Sequence, residues 1–349
     1  MKKVLILFGG QSTEHEISCL SAASVLRNID RDIFEVTACG ITKNGDTVGF
    51  PDCFDCIDEI ENGAWAKLVP EGAGFTAAVK YIEESDVVFP VMHGIMAEDG
   101  TIQGLVKLLK KPCVGPGVLA SAVCMDKVYT KIILDAAGIP QAKAVIVKRG
   151  EFNDEKVNEI ETKLGYPCFV KPSNSGSSVG AFKVKTHDEL IKSVNEAAKY
   201  DTKVLVEEYV NGKEVECAVL GNKNPKASTP GEIVSTSEFY DYDDKYKNGT
   251  SSTRIPADIP EEAREKIREL AVKAYVAADC AGLSRVDFFY DKENNRVLLN
   301  EINTLPGFTQ ISMYAKMWAH DGVDFKALVT KLIELAEEDY ELNKKHYDA

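Results

Sequence analysis

Carboxylate, amide and guanidinium side chains alternate along two consecutive predicted β-strands in the last third of the chain. Because successive side chains of a strand point to opposite faces, Arg285 and Asp287 share one face of the first strand, and Glu301 and Asn303 share one face of the second. If the two faces coincide, three oxygen ligands and a guanidinium surround one point. Mg²⁺ prefers such ligands and completes its shell with water and phosphate. The pattern favours a metal site beside an arginine that stabilises negative charge; a surface ladder of charges is the alternative.

A lysine at the end of an apolar strand indicates a phosphate site. Lys171 closes the predicted strand 168–171, and residues 173–180 form a loop of small side chains whose backbone N–H groups can approach a phosphate closely. The loop is not of the Walker A type, because no Gly-Lys-Ser/Thr ends it and no helix is predicted after it. A plain flexible turn remains open as the other interpretation.

Two further motifs suggest other chemistries but lack the residues that these chemistries need. Residues 115–120 satisfy G-x-G-x-x-A, yet the region about 20 residues on, where a dinucleotide site places its acidic residue, is predicted to be helix. Cys53 and Cys56 form one CxxC pair without a second pair or a nearby histidine. We therefore expect neither a dehydrogenase nor a zinc site.

Alternating strands and helices position these candidates, and the pattern divides the chain into three units. The first unit reads as a parallel α/β sheet, and a helical stripe of Met125, Val128, Tyr129 and Ile132 opens the second. The predicted strands are 4–8, 86–91, 112–115, 144–147, 168–171, 181–184, 203–208, 215–220, 232–235, 284–290 and 296–303. The predicted units are 1–118, 119–209 and 210–349, and the last contains a polar loop, 239–252, that is a candidate lid.

Composition narrows the class of protein. The net charge of −14 over 349 residues argues against a nucleic acid or a membrane surface as partner, since both attract basic proteins. Nine scattered cysteines, an odd number, fit reduced thiols. The apolar run 4–8 ends in Gly9-Gly10 without a small-residue cleavage site, so a buried first strand is expected rather than a signal peptide. We expect a cytoplasmic protein.

Taken together, the motifs resemble those of the D-alanine–D-alanine ligases, almost from end to end. The resembling blocks are 8–18 (FGGQSTEHEIS), 93–104, 125–127, 171–180, 239–246, 285–287 and 300–309. The resemblance implies a mixed α/β and α+β protein, in which two ATP-grasp units enclose ATP beside an N-terminal parallel α/β domain. It also implies ATP and D-alanine as substrates, two Mg²⁺ (or Mn²⁺) ions, a homodimer, and a D-alanyl phosphate intermediate on the way to D-alanyl-D-alanine for peptidoglycan.

The resemblance assigns roles residue by residue. Phosphate contacts are implied for Lys127, Lys171, Ser178 and Lys245. Adenine and ribose contacts are implied for Glu207, Val210 and Glu214, and metal ligation for Asp287, Glu301 and Asn303. Glu14 would bind the ammonium of the first D-alanine with His93 nearby, and Arg285 and the Gly307 N–H would stabilise the oxyanion. Ser177 and Tyr246 would link to Glu14, and Ser312 and Met313 would form the second subsite.

Other functions stay open at this point. Another carboxylate–amine or carboxylate–thiol ligase of the ATP-grasp type is one alternative, and a non-catalytic nucleotide-binding module is another. Tyr246 favours an amine as second substrate, because D-lactate ligases carry histidine in that role. D-Serine remains possible, since a small pocket excludes one hydroxyl poorly. The structural alternative to a binding role for Glu14 is that it caps the helix that follows it.

Overall fold

The computed structural model describes residues 1–68, 72, 74–176, 179–234 and 252–344. The N-terminal unit is built on a four-stranded sheet in the order β3-β2-β1-β4. Its strands are β1 (Lys2–Gly9), β2 (Phe34–Ile41), β3 (Thr47–Phe50) and β4 (Val87–Pro90). Its helices are α1 (His15–Asn28), α2 (Ile57–Asn62), α3 (Val79–Glu84) and α4 (Thr101–Leu108). Strand β1 is apolar at every position from 4 to 8 because both of its faces are buried.

The prediction of a parallel N-terminal sheet is correct for its centre and wrong for one edge. β1 pairs in parallel with β2 and β4, whereas β3 pairs antiparallel with β2. The chain between β2 and β3 turns within five residues, where the Thr42 N–H donates to the Asp46 carbonyl and Gly45 has a φ of 91°. Such a short connection can only return the chain antiparallel.

Two local predictions are also corrected. Residues 112–115 form no strand but a single parallel bridge, Val88 to Cys113, because Pro112 lacks an N–H and Gly115 has a φ of 105°. The stripe that includes Tyr129 and Ile132 is not one buried helical face. A break at residue 126 separates two helices, and these two side chains are 54% and 51% exposed.

The central unit is an antiparallel sheet with two helices before its first strand and two more between its strands. Its strands pair in the order β5-β8-β6-β7, and the four predicted strands are confirmed. They are β5 (Ala144–Lys148), β6 (Cys168–Pro172), β7 (Phe182–Val184) and β8 (Lys203–Glu208). The helices are α5 (Val118–Met125), α6 (Lys127–Ala136), α7 (Asp154–Lys163) and α8 (His187–Ala197). No helix follows the loop after β6, which agrees with the prediction.

The C-terminal unit contains the strands predicted to bear the metal ligands. Its sheet runs β12-β11-β9-β13-β14, with β10 added to β9. The strands are β9 (Lys213–Leu220), β10 (Lys226–Ala227), β11 (Gly231–Val234), β12 (Ser252–Arg254), β13 (Leu283–Asp291) and β14 (Arg296–Asn303). The helices are α9 (Glu261–Ala277), α10 (Met313–His320) and α11 (Phe325–Leu342). Of the predicted lid 239–252, all but Ser252 lies outside the described residues.

The last two helices pack into the core of the first unit. Buried side chains of α10 and α11, such as Tyr314 and Leu332, belong to the same hydrophobic cluster as β1 and β4. The central unit keeps a separate cluster around Val170 and Leu190. The predicted division at residues 118 and 209 therefore remains a prediction. Within the described ranges, none of the helices combines the length and the apolar character that crossing a bilayer requires.

Candidate active site

One cleft of about 280 Å³ collects candidate residues from all three units. Most of the predicted site residues that the structure describes line it. They are Glu14, His93, Lys127, Lys171, Glu207, Val210, Glu214, Arg285, Glu301, Asn303 and Gly307. Ser177, Ser178, Lys245 and Tyr246 lie outside the described residues. The cleft thus joins residues that are nearly 300 positions apart in sequence.

The two predicted functional strand faces coincide. β13 and β14 pair antiparallel, which places Arg285 opposite Asn303 and Asp287 opposite Glu301. Arg285 donates to Asp287 through Nε (2.8 Å to Oδ1) and Nη2 (2.7 Å to Oδ2), and Asn303 Nδ2 lies 2.9 Å from Asp287 Oδ2. Burial alone would lower the pKa of Arg285, but Asp287 and Glu216 outweigh it and hold that pKa above its usual range. The guanidinium is charged.

The same face fits a hard divalent cation. Asp287 and Glu301 supply carboxylate oxygens and Asn303 an amide oxygen, a donor set suited to Mg²⁺, which takes few protein ligands and fills its remaining positions with water and phosphate. The described part of the chain has no group of three or more His, Cys, Asp or Glu side chains in metal-binding proximity. A cation held by two carboxylates and one amide would therefore need oxygens of the substrates to complete its coordination shell.

A buried carboxylate organises two lysines on the opposite wall. Glu207 on β8 accepts from Lys171 Nζ at 2.5 Å and from Lys131 Nζ at 2.7 Å. Burial would raise the pKa of Glu207, but the two ammonium groups outweigh it and bring the pKa to about 2. Lys131 was not among the predicted residues. Its signal was its spacing, since it lies one helical turn after Lys127 on α6.

Lys127 enters the cleft because a capped helix starts at that residue. Asp126 caps α6 by accepting from the Val128 N–H at 3.2 Å, and it also accepts from Ser173 Oγ at 2.5 Å and pairs with Lys203. Lys127 Nζ then lies 2.6 Å from the Ser175 carbonyl and 3.8 Å from Glu301. Burial lowers the pKa of Lys127. Asp126 was missed as a positioning residue, although an aspartate before a helical stripe is a start signal.

An apolar patch lies beside these charges. Val210 packs with Ala142 and Leu298 and against the half-buried Phe289. Glu214 lies opposite Phe289 in the β9–β13 pairing. Three of the apolar residues, Ala142, Val210 and Phe289, line the cleft. A flat aromatic base stacks favourably on such a surface while its polar edge meets nearby carboxylates.

Glu14 reaches the other end of the cleft. It occupies the N-cap position of α1, but its side chain makes no capping hydrogen bond, which removes the structural alternative for this carboxylate. A Cβ atom at Gly94 would lie 2.7 Å from Glu14 Oε2, and one at Gly176 would lie 3.4 Å from the same atom. The backbone of two loops therefore approaches the carboxylate, and Gly94, which has a φ of 76°, is the position that favours glycine.

Glu98 also lines the cleft and was not predicted as a site residue. Its Oε1 accepts from the Gly94 N–H at 3.0 Å. Burial, and then the negative charge of Glu14, raise the pKa of Glu98 to about 8. At neutral pH this side chain is therefore mostly a neutral acid.

His93, predicted to lie near Glu14, lines the same cleft, and its substrate role stays a prediction. It is 4% exposed, and both ring nitrogens are engaged within the protein: Nδ1 lies 3.0 Å from the Leu305 carbonyl and Nε2 lies 3.0 Å from Ser21 Oγ. Burial lowers the pKa of His93 and keeps the ring neutral. His93 lines the cleft, but both of its ring nitrogens are already hydrogen-bonded within the protein.

The segment after β14 closes the site. Gly307 lines the cleft, and Ser312 lies behind it, with Oγ 3.0 Å from a Cβ built at Gly307 and accepting from the Thr309 N–H at 3.0 Å. Met313 is buried at the start of α10 against Gly231. Neither Ser312 nor Met313 is among the described residues that line the cleft. Their predicted substrate roles stay predictions.

Comparison with known proteins identifies what this arrangement resembles. A family model described as the D-ala D-ala ligase N-terminus matches residues 3–116, and one described as the D-ala D-ala ligase C-terminus matches residues 133–334. The D-alanine–D-alanine ligase of Clostridium acetobutylicum is 54% identical over 338 residues, which cover 96% of this chain and 98% of that protein. That of Clostridium novyi is 54% identical over 344 residues, covering 97% and 98%.

Solved structures give the same result. A D-Ala:D-Ser ligase from Enterococcus faecalis superimposes with a TM-score of 0.83 at 38% identity, covering 96% of this chain and 99% of that one. The D-alanine–D-alanine ligase from Coxiella burnetii superimposes with a TM-score of 0.82 at 36% identity, covering 98% and 95%. The predicted fold class, two ATP-grasp units beside an N-terminal α/β unit, is confirmed by this likeness.

Proposed function

This chain belongs to the D-alanine–D-alanine ligase family, and from that membership we propose that it joins two molecules of D-alanine with ATP as the driving reagent. The carboxylate of the first D-alanine attacks the γ-phosphorus of ATP, so that D-alanyl phosphate forms and ADP leaves. The amine of the second D-alanine then attacks the acyl carbon, and phosphate leaves from the tetrahedral intermediate. The dipeptide is a precursor for the cell wall.

The nucleotide binds where the lysines, the apolar patch and Glu207 meet. The patch around Val210 receives the adenine, Glu207 accepts from its amino group, and Glu214 binds the ribose hydroxyls. Lys127 and Lys171 bind phosphate oxygens, with Lys171 exchanging Glu207 for phosphate. The proximity of both lysines to Glu207 or Glu301 supports this assignment, since each ammonium is already held at the cleft wall.

Transfer takes place over the β13–β14 face. Asp287, Glu301 and Asn303 would hold Mg²⁺, which would neutralise phosphate charge there. Arg285, fixed in a bidentate pair with Asp287, stabilises the oxyanion of the tetrahedral intermediate together with the Gly307 N–H. A guanidinium already held in position needs no reorganisation as the charge develops.

The first D-alanine is held by its ammonium group. Glu14 binds this group as a carboxylate, and Glu98, protonated beside it, adds no second negative charge. Charge balance supports this arrangement: one carboxylate pairs with one ammonium in a partly enclosed site.

The finer assignments rest on the family resemblance. Ser177 and Tyr246 order the segment over Glu14, Ser178 and Lys245 bind phosphate, and Ser312 and Met313 form the second subsite. We also propose two metal ions, a homodimer, a cytoplasmic location and a closing lid at 239–252. The likeness to a D-Ala:D-Ser ligase supports D-serine as the second candidate for the attacking amine.

The observation that carries the proposal is the cleft that brings Arg285 and Glu301 together with Lys127 and Lys171. Asp287 does not line the cleft itself but pairs with Glu301 across β13 and β14. The test incubates the protein with ATP, Mg²⁺ and D-alanine, alone or with D-serine or D-lactate, and measures phosphate release and product mass. D-Alanyl-D-alanine should dominate. Mainly D-alanyl-D-serine would change the second substrate, and a folded protein that releases no D-alanine-dependent phosphate would refute the proposal.

Matched variants connect the activity to the cleft. Arg285→Gln should lower kcat about 100- to 1,000-fold, as expected when an oxyanion donor is lost. Arg268→Gln is the control, since Arg268 pairs with Glu265 on α9 outside the cleft. If both variants retain wild-type kcat, the reaction does not take place at β13.

A further inference from the structure

Ser21 and His93 form a buried relay between α1 and the segment 305–308. His93 Nδ1 lies 3.0 Å from the Leu305 carbonyl oxygen, and His93 Nε2 lies 3.0 Å from Ser21 Oγ. The Phe308 N–H donates to the same Oγ at 3.2 Å. Ser21 is fully buried. The relay spans 287 positions of sequence between Ser21 and Phe308.

Only one arrangement of protons satisfies all three contacts. A carbonyl oxygen only accepts, so the hydrogen of a neutral imidazole is on Nδ1 and is donated to Leu305. Nε2 then accepts from the Ser21 hydroxyl, and a lone pair of Ser21 Oγ accepts from the Phe308 N–H. Every member therefore has a partner, and such a fully satisfied buried network is rigid.

The relay holds the backbone on both sides of the proposed oxyanion donor. Leu305 is fixed through its carbonyl and Phe308 through its N–H, and Pro306-Gly307 lies between them. The ring of Phe308 packs against Phe89, Tyr314 and Phe325 at centroid distances of 5.6–6.0 Å, which anchors the segment without fixing its peptide orientation. The hydrogen bonds of the relay to Leu305 and Phe308 fix the orientation of these peptides.

Helix α1 also carries the ammonium-binding carboxylate. Glu14 lies at its N-cap, and Ser21 lies two turns further along the same helix. We propose that α1, through Ser21 and His93, sets the position of the Gly307 N–H relative to Glu14 and thereby aligns the acyl group of the first D-alanine. Ser21 and His93 are positioning residues, and this inference rests on the proposed ligase function.

The test compares two serines of the same helix. Ser21→Ala should lower kcat about 10- to 100-fold, because a small displacement of an oxyanion donor weakens transition-state binding more than ground-state binding. The KM for ATP should not change, since ATP binds at the other end of the cleft. Ser24→Ala is the control: Ser24 is buried as well, but its hydroxyl donates only to the Leu20 carbonyl within α1.

Two variants of His93 each remove one of its two hydrogen bonds, the bond to Ser21 or the bond to Leu305. The amide nitrogen of His93→Asn takes the place of Nδ1 and keeps the bond to Leu305, whereas the amide of His93→Gln reaches the place of Nε2 and keeps the bond to Ser21. His93→Asn should therefore lower kcat, but by no more than Ser21→Ala, because it keeps the bond from the Phe308 N–H to Ser21. The double variant Ser21→Ala/His93→Asn should be no slower than the slower single variant. Additive losses would overturn the relay.

The outcomes separate the relay from the ligase function. If wild-type protein shows no D-alanine-dependent phosphate release, the proposed function fails. If wild-type protein is active and Ser21→Ala retains a kcat within about twofold of Ser24→Ala, the relay is refuted. Calorimetric binding of ATP shows which variants are folded, and His93→Asn supplies the same comparison if Ser21→Ala does not fold.

Discussion

Glu98 lines the same cleft as Glu14, and its pKa is strongly raised there. Burial and the charge of Glu14 raise the pKa of Glu98 from 4.5 to about 8. A raised pKa in the folded state favours folding below pH 4.5, and the contribution is lost as pH rises towards 8. Glu98→Gln, which mimics the neutral acid, should remove this loss, which at about 1.4 kcal/mol per unit of pKa amounts to up to roughly 5 kcal/mol in the free energy of unfolding.

Urea unfolding between pH 5 and 9 measures that difference. The wild-type midpoint should fall with rising pH more steeply than the midpoint of Glu98→Gln. Glu35→Gln is a suitable control, because Glu35 is an exposed residue of β2. Parallel curves for wild type and Glu98→Gln would show that the Glu98 carboxyl ionises in the folded protein as it does in the unfolded chain.

The pKa of Glu207 is shifted in the opposite direction, to a lower value. Burial raises its pKa, but Lys171 and Lys131 outweigh it and depress the pKa from 4.5 to about 2. Glu207→Gln leaves two buried ammonium groups without their counter-charge, so we expect about 3 kcal/mol of destabilisation at pH 7. Because the folded pKa is lowered, this contribution is present above pH 4.5 and is lost as pH falls through about 2.

Wild-type and Glu207→Gln proteins should therefore differ in free energy of unfolding at pH 7 and converge as the solution is acidified. Glu196→Gln removes a carboxylate that pairs with Lys199 on the surface of α8, and it should change stability by at most about 1 kcal/mol. Equal stability of the two variants at pH 7 would contradict the structural role assigned to the buried pair.

At the scale of elements, the start of α6 connects stability with nucleotide binding. Asp126→Ala removes the cap of α6, the acceptor of Ser173 and the partner of Lys203. We expect a loss of about 1–2 kcal/mol in stability, together with a several-fold higher KM for ATP, because Lys127 begins the helix. Chemical unfolding measures the loss of stability, and steady-state kinetics measure the KM for ATP.

Asn153→Ala gives the matched comparison. Asn153 caps α7 by accepting from the Lys156 N–H at 2.9 Å, and it is not among the described residues that line the cleft. Asn153→Ala should lower the free energy of unfolding by about as much as Asp126→Ala, but it should leave the KM for ATP unchanged. A KM effect of equal size in both variants would mean that general destabilisation, not the position of α6, weakens ATP binding.

Sequence predicted the elements whose pattern is local. The faces of β13 and β14 followed from alternation with period two, and Lys171 followed from an ammonium at the end of an apolar strand. Strands β2 and β3 were both missed, and the antiparallel pairing of β3 depends on a short turn rather than on its own composition. Ser21 gives no signal in sequence, since a serine inside a helix acquires meaning only from Phe308, 287 positions away.

At the scale of the molecule, one core joins the beginning and the end of the chain. Leu332 of α11 is fully buried in the cluster that also contains β1, Trp65 and Trp318. The chain has two tryptophans, so each can be followed alone in a variant that replaces the other with phenylalanine. Trp65 reports on the N-terminal sheet and Trp318 on α10.

Because both tryptophans share the core with Leu332, Leu332→Ala should shift their unfolding midpoints together. The expected loss is about 2–5 kcal/mol, the range for a leucine-to-alanine change in a packed core. Leu342→Ala, at the 46%-exposed end of the same helix, should change stability by about 0.5 kcal/mol or less. If only the Trp318 transition moves, α11 stabilises its own unit alone, and the first sheet folds independently of the end of the chain.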